Sequence, residues 1–301
     1  MSTETIEEPA KAEQQTVHRV GSDVPFYVML SILGGVYVVM LVGMLLADVA
    51  YLSTSENANV HVLPAAWEWC RPVLRPFWHV VDALAQPDIR YSAKLTMVSC
   101  TFTAILSLIV AVPIGYLLSR HRFPGRNLLD AVLDIPIVLP PLVVGVSLLI
   151  LFQFWPFAGA AKFIVFQIPA VIIAQFMVAA AFAVRIMRAT FDQIDRRPED
   201  VALTLGCNQA QAFGLVVLPQ ARHGMLTAGT LAWARALGEF GPLLIFAGTT
   251  SFKTEVASVT VFLKFSAADL TGAVTISLLM VVAAVSVLII ARVWGTRDLR
   301  L

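Results

Sequence analysis

VPFYVMLSILGGVYVVMLVGMLLA, residues 24–47, runs for 24 positions without a charged side chain. Wound as a helix at 1.5 Å per residue, such a stretch covers a hydrocarbon core of about 30 Å. It is too long for the apolar core of a cleavable signal, about 7–15 residues, and no small-x-small cleavage pattern follows it, so it is read as a retained helix. Apolar runs recur at 95–118, 131–157, 163–184, 225–247 and 271–293. The expected fold class is an all-α integral membrane protein with six transmembrane helices, both termini on one side.

Composition agrees. Of the 301 residues 58% are hydrophobic and 14% charged, and the mean hydropathy is +0.80. A soluble domain carries about 45–50% apolar and about 25% charged residues. The net charge of +1 offers no basic field for nucleic acid. Cys70, Cys100 and Cys207 are far apart in sequence, and the expected topology sets them at three depths, so neither an intrachain disulfide nor a metal cluster is expected. No HExxH, G-x-S-x-G or G-x-x-x-x-G-K-[ST] pattern is present, which leaves an embedded enzyme without a constellation.

With the N-terminus inside, thirteen of the 21 Lys and Arg residues fall in cytoplasmic segments, seven fall outside, and Arg235 lies within a span. That asymmetry orients both termini to the cytoplasm. The chain then divides into a flexible tail (1–23), a first transmembrane helix (24–50), an extracytoplasmic loop (51–90), a core of five helices (91–294) and a short cytoplasmic tail (295–301). The outer loop holds Trp67, Trp69, Trp78, His61 and His79. It reads either as an interfacial segment with aromatic anchors or as a docking surface for an external partner.

The connection at 185–223 is cytoplasmic and basic. Pro198 and Glu199 suit a first helical turn, Gly206 suits a helix end, and a second short segment runs to Pro219. The pattern predicts a helix–turn–helix at the membrane surface, shaped to enter a groove of another protein. Within the spans, Asp134, Arg235 and Glu239 are ionisable groups at membrane depth, which are costly and either functional or paired. Arg235 and Glu239 stand four apart and can pair on one helix face. Gly238, Gly241 and Pro242 loosen that helix, and broken helices at mid-depth line cavities. Pro113, Pro136 and Pro140 read either as parts of the path or as simple kinks.

The cytoplasmic loop resembles the "EAA" loop of binding-protein-dependent ABC importer permeases of type I. Asp200 takes the acid position, with Glu199 just ahead of it. Val201 and Ala202 take the two alanines, Gly206 the glycine, Val216 the isoleucine, and Leu218-Pro219 close the motif. Asp for Glu, Val for Ala and Val for Ile are the three departures. The stretch from Ala234 to Gly241, A-R-A-L-G-E-F-G, is similar to the fifth-helix motif of the molybdate, tungstate and sulfate branch. The stretch from Asp134 through Pro140 to Gly145 is similar to that branch's third helix.

The resemblance implies a plasma-membrane permease subunit with no ATPase site of its own. It implies no cofactor on this chain, with ATP and Mg held by a cytoplasmic ABC ATPase subunit that docks on the loop. An extracytoplasmic binding protein would deliver a tetrahedral oxyanion, with molybdate or tungstate placed first and sulfate next. A second permease copy would complete the core, as a homodimer or a heterodimer. Asp134, Pro140, Arg235, Gly238, Glu239 and Gly241 become candidates for the path or its gate. The alternative is a secondary transporter or channel that works without ATP.

Overall fold

The computed structural model describes residues 24–54 and 80–297, and all regular structure among them is helical. The tail at 1–23, Cys70, the aromatic segment with Trp67, Trp69, Trp78, His61 and His79, and residues 298–301 lie outside the described residues. The expected all-α class with several bilayer-length helices holds.

The principal helices are α1 (Val24–Thr54), α2 (Pro87–Arg120), α3 (Arg126–Val138), α4 (Pro141–Leu151), α5 (Ile168–Gln193), α6 (Arg197–Thr204), α7 (Gln209–Ala212), α8 (Arg222–Leu237), α9 (Ala257–Ser266) and α10 (Leu270–Arg297). Four of them, α1, α2, α5 and α10, are long and apolar enough to span a membrane by themselves. The bent pair α3 and α4 makes a fifth if it counts as one span. The apolar run at 225–247 is divided: α8 ends at Leu237, residues 238–240 break the helix, and helical structure resumes at Gly241 and Pro242 into a π-helical turn, Leu243–Ala247. Glycine disfavours helix continuation at 238, and Pro242 suits the first turn of the resumed segment, where no donor is needed.

Several expected boundaries move. α1 runs to Thr54 and α2 begins at Pro87, so both helices enter the segment expected as loop. Pro87 opens α2 where no donor is needed, Asp88 sits in its first turn, and Arg120 closes its last turn, all matched to the helix dipole. α5 continues to Gln193, which takes Arg185 and Arg188 out of the loop and onto a helix. Their charges are met there by Asp134 and Asp130 of α3. α10 likewise extends into the expected C-terminal tail.

The break between α3 and α4 follows from three prolines. Pro136 lies inside α3, and Pro140 and Pro141 follow its end. A residue before proline is pushed out of the helical region, and Leu139 and Pro140 accordingly have ψ of 138° and 134°. The two helix axes meet at 113°.

Two packed clusters hold the helices of the 48–297 unit together. In one, small residues of α2, α5 and α8, among them Ala104, Ala183, Ala232 and Ala236, bring the backbones close around Met187 and Phe191. Lipid tails are as apolar as Leu, so such close packing is what binds helices in a membrane. The other joins α4, the first half of α5, the π turn and α9 through Val144, Val171, Phe246 and Val259. Gln175, buried on α5, ties the clusters: its Nε2 donates to Ala236 O at 3.2 Å, and its Oε1 accepts from Thr103 Oγ1 at 3.2 Å.

The two helix breaks meet within this frame. A Cβ added at Gly145 would stand 2.9 Å from Pro242 Cα, and one at Gly241 would stand 2.9 Å from Leu142 N. Gly214, by contrast, faces open space. Gly145→Leu is expected to lower stability by about 1–3 kcal/mol through overpacking, whereas Gly214→Ala stays near the parent. Thermal unfolding of the purified chain reads the difference, and equal midpoints would contradict the backbone contact.

Candidate functional site

The meeting of the two breaks leaves a pocket of about 260 Å³ lined by Pro140, Pro141, Leu142, Arg235, Gly238, Glu239, Phe240 and Gly241. Five of the six residues proposed for the path from sequence therefore come together, from regions almost a hundred residues apart. That volume accommodates several waters at about 30 Å³ each. Arg235 sits in the last turn of α8, where a cation suits the dipole. Its Nη1 is 2.8 Å from Glu239 Oε1, and its guanidinium carbon stands 5.5 Å from the centre of the Phe182 ring, a cation–π contact.

The pair is asymmetric. Arg235's side chain is 32% exposed, while Glu239's is fully buried and, among the described residues, neither of its oxygens has a hydrogen-bond partner. Glu239 is fixed through its backbone instead: its N–H is bonded to Ala236 O at 3.3 Å, and its carbonyl accepts from Ser258 Oγ at 2.6 Å. About a third of the cation is thus exposed, while its partner anion is sunk in the wall. The N-terminus of α4 forms another wall; Pro140 and Pro141 carry no N–H, so its attraction for an anion rests on the helix dipole and the Leu142 N–H.

Asp134 is not part of this group. Its carboxylate is held by both Nε and Nη2 of Arg185, with Nε–Oδ1 at 2.8 Å, and the pair fastens α3 to α5. Arg188 and Asp130 make a second such link one turn away. Gln175, Phe182 and Ser258 support the pocket and escaped sequence reading. Each is ordinary in type for its helix, and only tertiary packing brings it to the break.

The loop at 194–221 has an inward and an outward side. Glu199 and Asp200 occupy the first turn of α6. Glu199 turns inward and is 7% exposed, and Ala202 is buried beside it, whereas Asp200 and Val201 face out. Gly206 ends the turn at φ 96°, a conformation that favours glycine, and Cys207 N–H closes it on Ala202 O at 3.1 Å. Asn208 and Gln211 then form a reciprocal capping box that starts α7. Val216 and Leu218 are half-buried, Val217 is buried, and Pro219 is exposed. Leu205 at 80% and Leu215 at 72% exposure add bare apolar surface to the outward side.

Cys100 and Cys207 are free thiols, and no group of three or more potential metal ligands occurs among the described residues.

The profile of the family described as binding-protein-dependent transport system inner membrane component matches residues 111–297. The sulfate transport system permease protein CysT of Escherichia coli strain K12 is 31% identical over 217 residues, 70% of this chain and 77% of that protein. The molybdate/tungstate transport system permease protein WtpB of Thermococcus kodakarensis is 30% identical over 213 residues, 71% and 81% respectively. A bacterial alginate ABC transporter, crystallised with an alginate pentasaccharide-bound periplasmic protein, shares the fold with a TM-score of 0.69 at 14% identity, covering 92% of this chain and 95% of its own. This chain belongs to the binding-protein-dependent transport system inner membrane components, the permease subunits of ABC importers.

Proposed function

We propose that this permease passes a tetrahedral oxyanion, sulfate, molybdate or tungstate, through the pocket between the two helix breaks. The observation that carries the reading is the pairing of Arg235 with the N-terminus of α4 around one cavity. Both favour a compact anion, and neither holds it by a permanent cage. Glu239 keeps Arg235 partly neutralised, which suits a site that must release what it admits. The similarity to sulfate and to molybdate/tungstate permeases is nearly equal, 31% and 30%, and this sets sulfate level with the two larger anions.

ATP and Mg belong, in this reading, to a cytoplasmic ATPase subunit that docks on the outward side of α6 and α7. Asp200, Val201, Gly206 and the apolar surface of Leu205 and Leu215 form the contact, with Val216, Leu218 and Pro219 setting the loop's return to α8. An extracytoplasmic binding protein delivers the anion, and a second permease copy completes the path. The core at 91–294 lies in the inner membrane with both termini in the cytoplasm, an orientation supported by the distribution of Lys and Arg. Delivery by a binding protein and drive by an ATPase distinguish this reading from an ATP-independent carrier.

Arg235 and Glu239 are tested together, because removing one leaves a buried charge uncompensated. In Arg235→Gln/Glu239→Gln, uptake of radiolabelled sulfate, molybdate and tungstate is expected to fall about tenfold or more, as for loss of a charge-assisted hydrogen bond of about 1.5–3 kcal/mol. Folding and ATPase attachment stay intact. Unchanged uptake would remove Arg235 from the path. Gly206→Asp meets no neighbour within 4 Å, and the strain any side chain brings at φ 96° is confined to this exposed turn. That chain is expected to purify folded but without its ATPase, and full retention of the ATPase would sink the docking assignment.

A further inference from the structure

Beneath the outward side of the loop lies a buried cluster that neither docking nor the anion path uses. Glu199 accepts a hydrogen bond from the Tyr116 hydroxyl of α2 through Oε1, and its Oε2 lies 3.3 Å from Arg120 Nε at the end of the same helix. The charged side chains of Arg120 and Glu199 are almost fully buried. Arg120 Nη2 donates to Ile194 O at 3.0 Å, and Arg196 Nη2 donates to Ser119 O at 2.9 Å, so links cross between helix and loop in both directions. The Tyr116 ring packs on Phe191 of α5 at 5.7 Å between centroids and on Phe213, which opens a second π-helical turn (Phe213–Val217), at 4.6 Å.

We propose that Glu199 is the positioning residue that hands movement of the cytoplasmic loop to α2, through its joint with Tyr116 and Arg120. The inference rests on the reading of the loop as the ATPase-docking element. α6 is a single short helix with an exposed face that includes Val201 and an inner face that carries Glu199. A force applied on the outer face reaches the membrane helices through whatever holds the inner one. Apolar contact alone permits sliding, whereas a buried ion pair with a hydrogen bond fixes register. α2 is 34 residues long, and near its other end Thr96 Oγ1 accepts the first N–H of α9, from Ala257, at 2.9 Å. α2 also borders Gln175 through Thr103. A displacement of its cytoplasmic end is therefore carried along the whole helix, past the residue that holds the end of α8.

The test isolates the assembled transporter with its ATPase and compares Glu199→Gln, Tyr116→Phe and Gly206→Asp with the parent. For Glu199→Gln, the ATPase is expected to remain attached and to hydrolyse ATP at its basal rate. Stimulation by loaded binding protein and uptake of radiolabelled sulfate, molybdate and tungstate should fall about tenfold or more, within the 5–150-fold range of typical couplings. Tyr116→Phe keeps the ring and loses only the hydroxyl, so the same split is expected with a smaller fall, and this variant decides the matter if Glu199→Gln does not fold. Parental stimulation and uptake in both variants would overturn the proposal. Loss of the ATPase from both would also overturn it, since Glu199 would then only shape the loop. An ATPase that stays on Gly206→Asp contradicts the docking reading instead, and that outcome is visible separately.

Discussion

Backbone meets backbone where Gly145 of α4 lies against Pro242 and Gly241 lies against Pro141 and Leu142. Neither glycine leaves room for a Cβ, and the approach is what sets two interrupted helices side by side. An interrupted helix in a bilayer has main-chain groups without partners, a cost of several kcal/mol each unless protein or water satisfies them. Placing both interruptions at one point confines that cost to one pocket. The surrounding frame serves the same point. Gln175 caps the Ala236 carbonyl, Ser258 holds the Glu239 carbonyl, and the alanine-rich faces of α2, α5 and α8 press the helices close enough for these bonds to form.

Charge is distributed around that pocket in pairs. Arg235 and Glu239 are four residues apart, yet their exposures differ widely, so the cation is presented and the anion withdrawn. The Arg185–Asp134 and Arg188–Asp130 pairs fasten α3 against α5 and keep the first limb of the bent pair in place. At the 194–221 loop, Glu199 is buried against Tyr116 and Arg120. Removing one member of a buried pair is more damaging than replacing both. These arrangements therefore serve geometry more than stability, since they specify which helix packs against which.

The sequence was most informative where local chemistry decides. Gly206 at a helix end and Glu199 in a first helical turn were both legible from residue type and spacing. So was the pairing of Arg235 with Glu239, because a helix places i and i+4 on one face. It was less informative where the decisive neighbour is remote. Asp134 stood out as an ionisable group at membrane depth, but its partner Arg185 is 51 residues away and draws it from the pocket. Hydropathy marked 225–247 as one run; Gly238, Gly241 and Pro242 pointed to a loosened helix there, but not to the π turn that follows. Gln175, Phe182 and Tyr116 are unremarkable residues for apolar helices, and only packing reveals what they hold.

In the proposed function, this chain moves its substrate with power supplied by another subunit. That dependence is tested most directly by reconstituting the complex purified through this chain into vesicles and following radiolabelled sulfate, molybdate and tungstate with and without ATP. Accumulation of at least one anion that requires both ATP and its loaded binding protein is the predicted result. Accumulation that proceeds equally without ATP would contradict the account and identify an ATP-independent carrier.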